Sequence, residues 1–256
     1  LAIGAPRDRK MGIPGEDKAG VFGSADFVGW YNGHPDFRDL NPDLNVSAVA
    51  VIGVGNVAID VARVLVRTKE ELVPSDITDY AEKAILDSSI EDVYIFGRRG
   101  PVEAKFTNVE LREMGKLEQS VPVVDVGQLP DDVGEIEEGR EKRLKEKNLL
   151  TLREFTARKR DEQPKRVHFG FYAAPTEILG GDRVEGLRME RTKVEDGRAI
   201  CTGEFFEIEC GLVVAAISYR SDPLDGAPFD DKQGIVPNDN GRVDDGLYAV
   251  GWIKRG

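Results

Sequence analysis

Residues 51–63 read VIGVGNVAIDVAR: a β-branched run, two glycines one residue apart, then a helical pattern. From Ala48 to Gly53 the chain is almost wholly apolar, as expected of a strand covered on both faces of a parallel sheet. From about Asn56 to Val66, Val57, Val61, Val64 and Leu65 fall on one face of a helix. Between strand and helix, Gly53, Gly55 and Ala58 spell G-x-G-x-x-A. The first glycine permits the tight bend, the second lets a pyrophosphate approach the backbone, and the small third residue lets helix and strand pack closely. The helix start at Asn56, Val57 and Ala58 offers free N–H groups and a positive dipole end to phosphate. A merely tight turn is the plainer alternative, but the flanking elements are the ones a dinucleotide site requires.

The end of the next strand decides which dinucleotide. An NAD site places Asp or Glu there, to bond the ribose 2′-hydroxyl. This chain has YIFGRRG at 94–100, so Arg98 and Arg99 stand where that carboxylate belongs. Two guanidinia can pair with a 2′-phosphate, which a carboxylate would repel. The expectation is NADP(H), with a solvated strand end as the alternative for the arginines. The usual gap to this position is roughly 20 residues, and here it is about twice that. The polar segment 67–90 is therefore read as an insertion carrying its own helix at DYAEKAILDS.

Along the rest of the chain, LAIG (1–4) reads as a strand end and 23–45 as turn-rich. DVYIF (92–96) and VPVVDV (121–126) read as strands around a helix at 107–117, and the charged segment 131–160 as a helical pair. RVHFGFYAAPTEILG, RVEGLRMERTKV and EFFEIEC read as longer, antiparallel strands with Gly/Asp turns. GLVVAAIS (211–218) returns to a buried strand, and GRVDDGLYAVGWI (241–253) supplies a last one. The order strand–helix–strand–helix–strand predicts a doubly wound, Rossmann-like α/β domain with antiparallel β additions. The flanks, 1–22 and 222–256, read as parts of a second body around a domain at 23–221. A chain that opens inside a strand without Met, and stops abruptly at GWIKRG, is expected to be a piece of a longer protein.

A net charge of −12 argues against a general nucleic-acid binder. Cys201 and Cys210 form no CxxC and read as two buried thiols in a reducing compartment. No stretch reaches the roughly 18 apolar residues of a membrane span, and the N-terminus has no signal-peptide pattern. The two histidines have no metal-ligand partners at sensible spacing: His34 reads as a turn residue and His168 as a strand residue. Asp60, one turn from Arg63, reads as its structural ion-pair partner.

FVGWYNG (27–33), GNVAIDVAR (55–63), GRRGPVEAKFTNVELREM (97–114) and VGWIKRG (250–256) together resemble the adrenodoxin reductase family, including its bacterial ferredoxin–NADP reductase members. The resemblance runs essentially end to end. It implies an oxidoreductase that moves electrons between NADPH, FAD and a ferredoxin-type iron–sulfur protein, with an NADP domain inserted in an FAD domain. Residues 1–22 and 222–256 would then be FAD-domain segments, and the family's flavin-binding glycine turn would lie outside the chain. FAD would belong to the full-length protein, and this fragment would by itself be inactive.

The resemblance carries Asn56, Arg98, Arg99 and Glu110 over as NADP ligands. The arginines take the 2′-phosphate, and Glu110 bonds a ribose hydroxyl or orients an arginine. Gly251 and Trp252 match the stretch that lies over the flavin. At Ser218 the family usually has glycine, so the chain crossing there is expected to differ. The basic run REKRLKEK (140–147), with Arg140, Lys142, Arg143 and Lys145, is either a solvated helix face or the place where an acidic ferredoxin docks. No catalytic acid or base is expected, because hydride transfer between cofactors needs little from the protein beyond geometry. The bacterial members imply a cytoplasmic location. A self-contained NADP-dependent dehydrogenase is less favoured, since no Tyr-x-x-x-Lys pair occurs. A non-catalytic NADP-binding module remains open.

Overall fold

A computed structural model describes residues 1–159 and 161–255. The ends of two stretches read above, Arg160 of the charged segment and Gly256 of VGWIKRG, lie outside the described residues. In chain order come strands β1 (Arg7–Asp8) and β2 (Val21–Gly23), helix α1 (Ser24–Tyr31), strand β3 (Ala48–Ile52), and helices α2 (Asn56–Val66), α3 (Lys69–Leu72) and α4 (Asp79–Leu86). Strand β4 (Asp92–Phe96), helix α5 (Asn108–Met114), strand β5 (Ser120–Val124) and helix α6 (Arg140–Thr156) follow. The remainder is mostly β: β6 (Lys165–Gly170), β7 (Ala173–Leu179), β8 (Gly186–Glu195), β9 (Arg198–Glu209), β10 (Leu212–Ala215), β11 (Tyr219–Arg220), β12 (Arg242–Asp244) and β13 (Leu247–Tyr248), then helix α7 (Trp252–Arg255).

The chain divides into two units, one of residues 12–216 and one of residues 1–11 with 217–256. Both crossings fall nearer the N-terminus than the sequence reading placed them. Val21–Gly23 pairs in register with Val213–Ala215, which makes Val21 and Phe22 part of the larger unit's sheet.

That sheet has six parallel strands in the order β2-β10-β3-β4-β6-β5. All five residues of β3 are buried, as its apolar run requires. β3 feeds through α2 to β4 on one side, while its other neighbour is β10, so the strand order reverses beside β3. Ligands of doubly wound folds bind outside the carboxyl ends of the strands at such a switch point. Helix α2 buries Ala58, Ile59, Val61, Ala62, Leu65 and Val66 in the main core, alongside Leu111 and Met114 of α5. Fully buried apolar side chains of this size stabilise by roughly 1.5–3 kcal/mol each, less for alanine.

The polar insertion is two short helices. Thr68 opens α3 with a capping box: its hydroxyl accepts from Glu71 N at 3.2 Å, and its own N–H donates to the Glu71 carboxylate at 2.9 Å. A second, antiparallel sheet, β7-β8-β9, packs on β4 through Phe206 and Phe96, whose ring centroids lie 6.3 Å apart.

Several expectations need correction. Residues 1–4 form no strand. The turn-rich 23–45 contains α1, anchored by the buried Phe27, Trp30 and Tyr31. An internal glycine and the absence of a side-chain N-cap had masked its helical period. The charged segment is one helix instead of two, because Gly134 and Gly139 interrupt the residues before α6. Residues 165–170 are a parallel strand of the main sheet, and only from Ala173 does the chain turn antiparallel. The last segment is a short hairpin, β12-β13, followed by the single turn α7. Cys210 is buried, which pushes its thiol up to about 12, but Cys201 lies exposed on β9.

Candidate functional site

The turn after β3 is built as its sequence demands. Gly53 has φ +138, and a Cβ there would lie 2.1 Å from the Ala216 carbonyl oxygen at the end of β10. Only glycine fits both the dihedral and the approach. Gly53 N–H donates to Phe96 O at 2.8 Å, drawing the ends of β3 and β4 together. Gly55 differs. Its φ of −113 suits any residue, and a Cβ on it would meet nothing within 4 Å. The second glycine therefore faces open space, where a pyrophosphate can come against the backbone. Gly55 caps α2 without any side-chain cap, so the first-turn N–H groups are left for a ligand. Ala58 is fully buried against the sheet, the close packing expected of the third position.

Loop residues after β4 are stitched to this turn. Lys105 N–H donates to Val54 O at 2.8 Å, and Thr107 N–H to the Asn56 side-chain oxygen at 2.7 Å. Asn56 thus spends its carbonyl on holding the start of α5. Its amide NH₂ has no protein partner among the described residues.

Arg98 and Arg99 follow Gly97, whose absent Cβ would sit 2.7 Å from Val54. The arginines therefore stand directly beside the glycine turn. Neither pairs with a carboxylate among the described residues. Arg98 is exposed and its side chain makes no hydrogen bond there, while Arg99 Nη1 donates to Gly197 O at 3.2 Å.

Two contacts fix the backbone of this arginine turn and a third ties them together, all from residues that the sequence alone does not single out. Tyr172 N–H donates to Arg99 O at 3.1 Å, Thr192 N–H to Tyr172 O at 2.9 Å, and Thr192 Oγ1 to Arg98 O at 2.7 Å. Tyr172 has φ +54, rare for a bulky side chain, and its ring covers Gly100 so closely that a Cβ there would lie 2.3 Å from the phenol oxygen. The Asp196-Gly197 turn was legible as a tight turn. Its reach to Arg99, nearly a hundred residues back, was not.

Glu110 lies on α5 but is engaged by Arg63 of α2, Nη1 to carboxylate at 3.2 Å. Arg63 also pairs with Glu113, and with Asp60 at 2.5 Å, the partner anticipated for that aspartate. Burial holds the Asp60 carboxyl above the ordinary range, with Arg63 pulling the other way. His34 accepts from Asp36 N–H at 3.3 Å, as a turn residue does. His168 on β6 contacts Asp92 at 2.5 Å and stacks on Tyr94. No group of three or more His, Cys, Asp or Glu side chains among the described residues is placed to hold a metal ion.

The remaining candidates belong to other elements. Gly251, at φ +72, and Trp252 belong to the smaller unit, where Trp252 is 55% exposed with its ring edge-on to Tyr219. In the basic run, Lys142 pairs with Glu138 at 2.5 Å and Lys145 with Glu141 at 3.0 Å, whereas Arg140 and Arg143 have no ion pair among the described residues. No helix among the described residues is long and apolar enough to cross a membrane.

No family model matches the chain. Individual relatives do. The chain is 42% identical over 283 residues to the mitochondrial NADPH:adrenodoxin oxidoreductase of Arabidopsis thaliana, and 41% identical over 262 residues to the NADPH-ferredoxin reductase FprA of Mycobacterium tuberculosis. All of this chain is covered in both, against 58% and 57% of those proteins. A solved structure of M. tuberculosis FprA in complex with NADPH superimposes with a TM-score of 0.88 at 40% identity, covering 99% of this chain and 57% of that one. The chain thus spans a little over half the length of the relatives it matches.

Proposed function

From homology to adrenodoxin and ferredoxin reductases over the whole chain, we propose that this is the NADP-binding part of a flavoprotein reductase that moves electrons between NADPH, FAD and a ferredoxin-type iron–sulfur protein. The observation that carries the reading is the arginine turn. Two guanidinia, neither neutralised by a carboxylate, stand where an NAD site needs an acid, beside a glycine turn with an open second position. The residues present fit the dinucleotide. Gly53, Gly55, Val57 and Ala58 shape the cradle, the first-turn N–H groups take the pyrophosphate, and Arg98 and Arg99 clamp the 2′-phosphate. Asn56 holds the turn to α5 and offers its amide, and Glu110 presents a carboxylate oriented by Arg63 toward a ribose hydroxyl.

When bound, the nicotinamide and the flavin would supply the hydride chemistry. The chain's own residues bind and orient. The smaller unit, with Gly251 and Trp252, is assigned to the flavin-binding domain, the larger to the NADP domain. The flavin pyrophosphate needs a glycine turn of its own, and Gly53/Gly55 is the sole G-x-G in this sequence. Arg140 and Arg143, with the paired Lys142 and Lys145 beside them, form the face assigned to an acidic ferredoxin, and the location follows the cytoplasmic bacterial members.

Titrating the purified chain with NADPH and NADH tests this. Ten- to hundredfold tighter NADPH binding, without stoichiometric flavin colour, is expected. Equal affinity for the two dinucleotides would overturn the reading. Tightly held flavin would remove the assignment of the flavin turn to another part of the protein.

A further inference from the structure

The antiparallel sheet β7-β8-β9 reaches back to the arginine turn at three points that no local sequence rule requires. Tyr172 stands where β6 of the main sheet gives way to β7, Thr192 lies in β8, and Gly197 is at the tip of the β8–β9 hairpin. Together they fix the carbonyls of Arg98 and Arg99 and one guanidinium nitrogen. Thr192 is the hub. It is 93% buried, and its N–H and its hydroxyl end on Tyr172 and Arg98. Backbone strain points to the same place, since Tyr172 is held at φ +54 by its hydrogen bonds to Arg99 and Thr192. Strain of that kind persists only where surrounding contacts over-determine it.

We infer that Thr192 is a positioning residue for dinucleotide choice: it holds the Arg98–Arg99 turn in the conformation that receives a 2′-phosphate, and the β8–β9 hairpin is the arm that delivers it. Gly197 O accepts from one N–H of the Arg99 guanidinium and leaves its other donors for the ligand. A preformed clamp binds more tightly than one that must be ordered on binding, because less side-chain and loop entropy is lost. Thr192 acts through the arginine turn, its hydroxyl being spent on Arg98 O. The gain falls on the phosphate that distinguishes NADP from NAD and leaves the parts common to both untouched.

The inference rests on the NADP reading, and one experiment separates the two. NADPH and NADH are titrated calorimetrically into wild type, Thr192→Val, Thr192→Ala and Thr192→Ser. Any loss of folded protein lowers the number of sites for both dinucleotides alike and leaves the affinity ratio unchanged. Thr192→Val, which keeps the shape and the backbone bond but loses the hydroxyl, is expected to weaken NADPH about five- to tenfold with NADH unchanged. Thr192→Ala should do the same, and Thr192→Ser, which keeps the donor, should stay within about twofold of wild type. Unchanged NADPH affinity in Thr192→Val and Thr192→Ala, or equal loss for both dinucleotides, would overturn the inference. A wild-type protein without preference for NADPH would instead overturn the NADP reading beneath it.

Discussion

The two turns of the candidate site differ in how far their determinants can be read from their own residues. The glycine turn is legible in its own residues although its contacts are tertiary: the Gly53 dihedral and the Ala216 carbonyl beyond β10 exclude a side chain, and Gly55 faces open space. The arginine turn, one strand away, is held from a distance by Tyr172, Thr192 and Gly197 on the antiparallel sheet. On the function proposed above, the glycine turn builds the part common to all dinucleotides, and contacts from the antiparallel sheet tune the part that distinguishes them. Changes at the first turn should therefore damage the fold or all binding, and changes at the second should move only selectivity.

The largest effect is expected where the glycine turn has no slack. Gly53→Ala forces a Cβ against the Ala216 carbonyl at a left-handed dihedral, and should cost at least about 3 kcal/mol of stability in urea denaturation. Gly55→Ala sharpens the contrast within the same turn. Its Cβ meets no protein atom, so stability should fall by about 1 kcal/mol or less, while NADPH and NADH both weaken by more than tenfold. If Gly55→Ala bound either dinucleotide normally, the pyrophosphate would not lie where the open position puts it.

The opposite end of β4 offers a control distant from both turns. Asp92 accepts from Arg166 Nε at 2.7 Å and contacts His168. Burial alone would raise its carboxyl, but these hydrogen bonds and the two nearby charges hold it below the ordinary range. A lowered folded-state value means that its stabilising contribution is present above about pH 4, the ordinary carboxylate value, and is lost as pH falls through that region and below. Asp92→Asn should flatten this acid limb of the stability curve and leave NADPH affinity near neutral pH unchanged.

The smallest effect concerns partner docking. Complementary charge mainly raises association rates and is screened over about 8 Å at physiological salt. With Lys142 and Lys145 already paired along α6, reversing Arg140 and Arg143 to Glu should slow ferredoxin reduction by the full-length protein only a few-fold, most at low salt. Reduction of a small uncharged acceptor should not change. Parallel loss of both activities would make the segment structural.

How much of this was legible in the sequence follows the same division. β3, the glycine turn and α2 could be read almost residue by residue, because apolar period and glycine spacing are local signals. The place of Arg98 and Arg99 just after β4 was equally legible, and the proposal that they choose NADP rests on it. The support of that turn was invisible: Thr192 is an ordinary strand threonine, and nothing in FGFYAA marks Tyr172 for a positive φ. Helix α1 was missed because its short length and Gly29 obscured a pattern that burial of Phe27 and Trp30 restores. The departure at Ser218 was flagged only through the family's usual glycine. Its φ of +131 lies in the region that favours glycine, so Ser218→Gly is expected to stabilise the protein by about 1 kcal/mol.

The central claim is that the arginine turn selects the dinucleotide, and equilibrium binding of NADPH and NADH to Arg98→Ala and Arg99→Ala tests it most directly. Loss of one charge-assisted contact costs about 1.5–3 kcal/mol, or roughly ten- to a hundredfold. Each variant should therefore lose that much NADPH affinity and keep its NADH affinity. Equal loss for both dinucleotides, or none for either, would place the adenosine end of the ligand somewhere other than this turn.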